Sequence, residues 1–109
     1  MRSCNLLALT LATLFLAVGT ATAKPAKCFT SDDGEYSCDF KSLDKAGSFT
    51  ISAAGKPTYT LEVDGPGAAF GFADLGTGRN VALPGTFRRA DDDGACWDND
   101  VTEVRICAW

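Results

Sequence analysis

The chain has 109 residues, with ten basic and fourteen acidic side chains, a formal net charge of −4 and no histidine. The lack of histidine excludes Ser–His and Cys–His nucleophile pairs, histidine metal ligands and the ordinary proton shuttle of neutral pH. A mildly acidic chain with no basic stripe also argues against nucleic acid and anionic membranes as partners.

Residues 1–23 have the three-part layout of a secretory signal peptide. A short basic start precedes an almost unbroken apolar run, residues 6–18, and residues 21–23 offer the small-x-small pattern that signal peptidases cut. A membrane anchor is the alternative, but a spanning helix needs about 20 apolar residues and this run is shorter. We therefore expect residues 24–109 to be one secreted or periplasmic domain, with no membrane span after Cys4 and the rest of the signal are removed.

The mature part of the chain predicts an all-β domain. Apolar residues alternate with polar ones in several stretches, as Tyr59, Leu61 and Val63 do with the residues between them. This alternation predicts strands, and clusters of Gly and Pro between the stretches supply turns. The predicted strands cover residues 35–40, 47–53, 58–64, 68–73, 79–83, 86–89 and 101–108. Seven short strands with tight turns predict an antiparallel β-sandwich or a small barrel.

The four cysteines of the predicted domain are Cys28, Cys38, Cys96 and Cys107. An even number in a short exported chain predicts two disulfides, and three pairings are open. We favour the two bonds between cysteines close in sequence, because each would join neighbouring strands. These are Cys28–Cys38 and Cys96–Cys107, while a crossed pairing such as Cys28–Cys107 stays open. Closing a loop of roughly ten residues stabilises by about 2–3 kcal/mol, which a domain this small needs.

The second half of the domain has a recognisable order of elements. Residues 70–87 run through an aromatic strand, a glycine turn, a short apolar strand and a Pro-Gly turn, and an acidic turn then leads to residues 96–106. This order resembles one Greek-key motif of the βγ-crystallin family, whose loop pattern N/D-N/D-x-x-S/T-S is matched by Asp98, Asn99 and Thr102. The resemblance implies a small Greek-key β-sandwich, and secreted microbial members of the family include disulfide-stapled protease inhibitors.

The same resemblance implies a calcium site. In the family such sites combine two loops of this pattern, and here only Asp98, Asn99 and Thr102 match, with Glu103 in place of the final serine. Calcium takes six to eight oxygen ligands, so half a site implies weak binding or none. The alternative is a solvated, charge-rich turn, and no other cofactor is expected.

A second candidate surface combines acids with aromatic rings. Asp91, Asp92 and Asp93 are consecutive, Trp97 follows a cysteine in a polar loop, and Trp109 is the last residue of the sequence. Carboxylates beside aromatic faces are common in sites that bind proteins and sugars. The structural alternative is that Trp97 packs against the neighbouring disulfide and that Trp109 covers a sheet end.

These features predict a monomer that binds rather than catalyses. Carboxylate-pair catalysis is the remaining enzymatic route, but it needs two carboxyls about 5–9 Å apart in a cleft, for which a small domain has little room. We expect a small protein inhibitor or protease inhibitor that presents a rigid turn, residues 91–100, to a protein or glycan outside the cytoplasm, because a preformed loop loses less entropy on binding. The alternatives are a calcium- or carbohydrate-binding envelope protein and a secreted toxin or antimicrobial protein.

Overall fold

The structure is a computed structural model, and it describes residues 22–109. The predicted signal peptide therefore lies outside the described residues, except for Thr22 and Ala23. Within the described range the chain forms β1 (Lys24–Thr30), β2 (Gly34–Ser42), β3 (Phe49–Ser52), β4 (Thr58–Val63), β5 (Ala68–Asp74), β6 (Val81–Ala82), β7 (Phe87–Arg89), β8 (Cys96–Asn99) and β9 (Arg105–Ala108). This range contains no helix with the length and apolar character that a membrane crossing requires.

The strands close into one antiparallel barrel. β1 to β5 pair in chain order, β7 and β8 continue that order, and β9 returns to pair with β1. The prediction of an all-β antiparallel domain is confirmed. The predicted Greek-key sandwich of about seven strands differs from the structure, which has nine strands and one closed ring of chain neighbours. Closure depends on a contact between the two ends of the domain, where Phe29 pairs with Cys107, and local alternation carries no signal of that contact.

Strands β6 and β7 form one interrupted strand beside β5. β6 pairs with the second half of β5 and β7 pairs with its first half. Between Ala82 and Phe87 the chain carries two more residues than the facing part of β5, which makes a bulge. Gly85 in this bulge has a φ of 72°, and a Cβ there would come within 2.8 Å of Asn99 Oδ1. The ring therefore has eight strand positions, one of which β6 and β7 share.

Strands β1 and β8 are not predicted by the sequence. They read KPAKCFT and CWDN, and neither has the alternating β-branched and aromatic residues that predict a strand. Each is a strand because it pairs along both of its edges, β1 with β2 and β9, and β8 with β7 and β9. Tertiary pairing overrides weak local preference here. Strand β9 is shorter than the predicted 101–108 because residues 100–104 form a loop.

The inner face of the barrel is filled by alternate residues of the strands. Ile51, Leu61, Phe87 and Ile106 are fully buried there. Gly71 lies so close to Phe87 that a Cβ would overlap the aromatic ring. The middle of the barrel is therefore a packed core, in which a close approach requires glycine.

Both disulfides are present with the favoured pairing. Cys28–Cys38 joins β1 to β2 and belongs to the core cluster, so it lies inside the barrel. Cys96–Cys107 joins directly paired positions of β8 and β9. The next residue of each of these strands packs in the core, so this second bond lies on the outer face, although both cysteines are 1% exposed.

The alternating strand directions bring the connections to two ends of the barrel. The terminal end carries Lys24, Trp109 and the connections over residues 43–48, 64–67 and 90–95. The opposite end carries the connections over residues 31–33, 53–57, 75–80 and 100–104. The terminal end holds a cluster of acidic side chains, and the opposite end holds an apolar cavity.

Candidate functional site

The acidic loop, residues 90–95 between β7 and β8, contains the three consecutive aspartates of the predicted site. Two backbone hydrogen bonds close it, from Ala90 N to Cys96 O at 2.9 Å and from Cys96 N to Asp93 O at 3.0 Å. The Oδ1 atom of Asp93 also accepts from Ala95 N at 2.9 Å. The loop is therefore a closed turn whose conformation does not depend on a partner.

Arg105, on the outer face of β9, ties this loop to the strand beside it. Its Nη2 donates to Asp92 Oδ1 at 2.8 Å, and its Nε donates to Asp98 Oδ1 at 2.7 Å. The bonds to Asp98 and then to Asp92 raise the pKa of Arg105, and the guanidinium holds the pKa of Asp92 below its ordinary value. Sequence reasoning missed Arg105, although it is the one basic residue among residues 90–109.

Trp109 holds the other side of the acidic loop. Its Nε1 donates to Asp93 Oδ2 at 2.9 Å, and its backbone N donates to Lys27 O at 2.9 Å. The hydrogen bond from Ala95 N and then the bond from Trp109 lower the pKa of Asp93. Trp109 is 49% exposed, so it presents an apolar face beside the carboxylates of the loop.

Trp97 lies inside the barrel and not on the predicted contact surface. It is 2% exposed, and the guanidinium carbon of Arg89 lies 4.2 Å from the centre of its ring. Arg89 also donates to the carbonyl of Gly94 in the acidic loop. The structural alternative, packing against the neighbouring disulfide, does not describe it either, because that bond lies on the outer face. Trp97 therefore supports the loop from within, through Arg89.

The predicted calcium ligands Asp98, Asn99 and Thr102 lie along one surface pocket, which Glu103 and Arg105 also line. Asp98 is paired with Arg105, and Asn99 Oδ1 accepts from two backbone nitrogens of the next loop at 2.8 Å. The Thr102 hydroxyl accepts from a third at 3.3 Å. Across the described part of the chain we find no group of three or more acidic, cysteine or histidine side chains placed to hold a metal ion. Calcium binding stays a prediction.

A second concave region, which sequence reasoning missed, lies at the opposite end of the barrel. This apolar hollow has a volume of about 220 Å³. Most of its lining is apolar, with Tyr59, Ala73, Leu75, Val81 and Leu83 among the residues that line it. These residues come from separate parts of the chain, so no single segment of the sequence indicates the hollow.

Comparisons with protein-family models, with curated proteins and with solved structures find no match to this chain. The resemblance of residues 70–106 to the βγ-crystallin family stays a prediction. What the acidic loop can bind follows from its own geometry and charge.

The acidic loop combines negative charge and an apolar ring on one rigid surface. Asp91 and Asp92 are exposed, and Trp109 is half exposed beside them. Aspartate side chains are ionised at neutral pH, and the hydrogen bonds from Arg105 lower the pKa of Asp92 further. The loop therefore exposes carboxylates together with an apolar ring.

Proposed function

We propose that this protein is a secreted, non-enzymatic binding module and that the acidic loop together with Trp109 is its contact surface. The proposed partner is a protein, such as a protease that the module inhibits, with a basic side chain beside an apolar pocket. One observation carries the proposal: hydrogen bonds fix the loop on both sides, because Arg105 donates to Asp92 and Trp109 donates to Asp93.

These hydrogen bonds support a binding role. A loop that becomes ordered only on binding loses conformational entropy at that step, and a loop that is already ordered avoids this cost. The Cys96–Cys107 bond joins the two strands beside the loop, and Arg89 reaches its backbone from inside the barrel. The contact surface is therefore preorganised before a partner binds. Surface ion pairs alone contribute little to stability, so we interpret this network as positioning the loop.

The compartment is part of the same proposal. Two disulfides are typical of proteins in oxidising compartments, and they support the predicted secretion or export to a periplasm. We propose that the protein acts there as a monomer, on a partner outside the cytoplasm.

Inhibition assays test the proposal directly. The purified, disulfide-bonded protein is added to representative secreted serine, cysteine and metalloproteases, and the dissociation constant is measured for each one that is inhibited. We expect Trp109→Ala to weaken binding by about tenfold or more, because exposed tryptophans at an interface dominate binding energy. We expect Asp91→Asn to weaken it as well, by removing a charge that faces the partner.

Glu62→Gln is the matched control, because Glu62 is an exposed acid on β4, and β5 separates β4 from β7, the strand that leads into the acidic loop. It removes the same charge as Asp91→Asn and is expected to leave binding unchanged. Equal weakening by Asp91→Asn and Glu62→Gln would mean that only the net charge matters. Inhibition that survives Trp109→Ala unchanged would place the contact surface elsewhere, and no inhibition across the panel would contradict the inhibitor role.

The calcium-binding alternative is supported by one observation, the shared surface pocket of Asp98, Asn99 and Thr102. It requires Arg105 to release Asp98 when calcium binds. Calorimetric titration tests it, and no heat with no rise in melting temperature at millimolar calcium would remove it. The carbohydrate-binding, toxin and antimicrobial alternatives stay predictions from the sequence.

A further inference from the structure

The apolar hollow at the opposite end of the barrel is separate from the acidic loop. It has a volume of about 220 Å³ and opens beside the ends of β1, β4, β5 and β6. Its lining includes two buried core residues, Tyr59 at 7% exposure and Ala73 at 6%. A closed barrel of eight strands leaves an interior that either side chains fill or one small ligand occupies.

Two apolar side chains at the rim of the hollow remain in solvent. Leu75 is 71% exposed and Val81 is 52% exposed, although both line the hollow. Leu75 begins the loop over residues 75–80 and Val81 follows it. Asp74 Oδ1, at the end of β5, accepts from three consecutive backbone nitrogens of this loop at 2.9–3.1 Å. The loop therefore holds these side chains at the rim, and exposed apolar residues around a concave site are typical of ligand pockets.

Two tyrosines place polar groups at this end. Tyr59 lines the hollow, and burial raises its pKa, with a further contribution from the charge of Asp32. Burial also raises the pKa of the neighbouring Tyr36 to about 12. Phenols are neutral donors at neutral pH even at their ordinary pKa of about 10, so the raised values only reinforce that state. The Tyr36 hydroxyl is buried with no hydrogen-bond partner among the described residues. Such unpaired groups are rare in folded proteins and require an explanation.

We propose that the apolar hollow binds a small, uncharged, largely apolar molecule of about two fused rings, with one polar group directed towards Tyr59. An engineered cavity of about 150 Å³ holds benzene, so a volume of about 220 Å³ suits a two-ring molecule. Asp32 lines the hollow and repels anions. An apolar lining disfavours any ligand charge, because burying an unpaired charge is costly.

A small molecule fits the hollow better than the flat face of a second copy does. The lining comes from β1, β4, β5, β6 and the segment just before β9, so walls surround the site. A flat surface would contact the exposed rim residues Leu75 and Val81 but would not reach Tyr59 or Ala73, which are buried. Concave, mostly apolar sites with a few placed polar groups are the usual architecture of small-molecule pockets.

Titration with 2-naphthol, a neutral two-ring molecule with one hydroxyl, tests the proposal. The probe is added to the purified, isotope-labelled, disulfide-bonded protein, and the amide NMR shifts are followed. We expect saturable shifts at Ala73, Val81 and Val104, which line the hollow. We expect no shifts in the acidic loop at the terminal end.

A pair of valine variants makes the test specific. Val81→Asp puts a charge on the rim and is expected to raise the dissociation constant about tenfold or more, because the bound ring would desolvate that charge. Val101→Asp is the matched control, since Val101 is 69% exposed at the same end and does not line the hollow. The dissociation constant of Val101→Asp for 2-naphthol should stay within about twofold of that of the unmodified protein. Ala73→Leu, which fills the hollow, should prevent binding in a protein that thermal unfolding shows to be folded.

Four results would overturn the proposal. They are no saturable shift up to the solubility of the probe, shifts confined to the acidic loop, equal weakening by Val81→Asp and Val101→Asp, and unchanged affinity in folded Ala73→Leu. NMR diffusion that shows a dimer, dissociated by Val81→Asp, would also overturn it in favour of a second copy over the hollow. Shifts confined to the acidic loop would show that the probe binds there, but none of these results contradicts the proposed protein contact, which Trp109→Ala tests separately.

Discussion

The acidic loop and the loop over residues 75–80 lie at opposite ends of the barrel, are held by different sets of contacts and expose different chemistry. At the terminal end, the Arg105–Asp92 ion pair holds the acidic loop and a disulfide joins the strands beside it. At the opposite end, the side-chain oxygens of Asp74 and Asn99 hold the loops by accepting backbone N–H groups. The first arrangement leaves carboxylates and an indole at the surface, and the second leaves leucine and valine side chains around a hollow.

This contrast shows how one small domain can carry two unlike surfaces. Apart from Arg105, which begins β9 at the opposite end and reaches Asp92 in the acidic loop, each end is held by its own local contacts. A packed core that includes Leu61 and Phe87 lies between them. A change at one end should therefore leave the other end in place. The following predictions test that independence, starting with the core that both ends share.

The largest effect is expected in the core. Gly71→Ala places a Cβ against the ring of Phe87, and overpacking of this kind should lower the free energy of unfolding by about 3 kcal/mol. Gly94→Ala is the control, because a Cβ in that part of the acidic loop meets nothing within 4 Å. Its effect should stay within about 0.5 kcal/mol. Chemical denaturation measures both, and equal effects would show that the core has room at Gly71.

The next effect concerns the disulfide at the terminal end. Replacing Cys96 and Cys107 together by alanine should lower the free energy of unfolding by about 2–3 kcal/mol, because the unfolded chain is no longer closed into a loop. Amide exchange by local opening should accelerate in the acidic loop and not in residues 76–78, which Asp74 holds. Equal acceleration at both ends would mean that the ends are not independent.

A smaller effect of opposite sign is expected at the opposite end. Tyr36→Phe removes a buried hydroxyl for which residues 22–109 offer no hydrogen-bond partner, and we expect the free energy of unfolding to rise by about 1 kcal/mol. Tyr59→Phe is the matched control and should not stabilise, because its hydroxyl is not among the buried groups that lack a partner. Thermal and chemical unfolding check both variants. Destabilisation by Tyr36→Phe would show that this hydroxyl has a partner in solution.

The smallest effect concerns pH. The folded-state pKa of Asp92 lies below the ordinary value of about 3.9. The ionised carboxylate therefore stabilises the acidic loop above that pH, and this contribution is lost as the pH falls through the folded-state pKa. Arg105→Gln should raise the pKa of Asp92 and leave that of Asp74 low, because backbone N–H groups, Gly76 first, lower the latter. NMR titration of the carboxyl carbons measures both, and a matching rise at Asp74 would contradict the separation of the ends.

Local patterns were enough to predict much of the barrel wall. The alternation of Tyr59, Leu61 and Val63 predicts β4 almost to the residue, since 58–64 was expected and Thr58–Val63 is observed. Strands β2, β3 and β5 are also close to their predicted ranges. Both disulfides have the favoured pairing of the three that the sequence left open, in which cysteines close in sequence join neighbouring strands.

The candidate site was only partly predictable, because alternation does not say which face of a strand is inside. In Cys96–Asn99, the first two residues are both apolar, so the pattern permits either to face the core. Pairing with β9 decides it, because Trp97 lies opposite Ile106 inside and Cys96 lies opposite Cys107 outside. Arg105 was missed for a related reason, since its partner Asp92 belongs to a loop that only the fold brings near.

The sequence by itself determined the all-β composition, the turn positions and most of the strands, and it favoured the observed pairing of the cysteines without fixing it, because these features depend on neighbours along the chain. Only the tertiary structure decided that β1 and β9 close the barrel, that Trp97 lies inside, that Arg105 holds the acidic loop and that an apolar hollow opens at the opposite end. Each of these depends on residues far apart in sequence. Their contacts form only when strands pair over long separations, and no local pattern records that pairing.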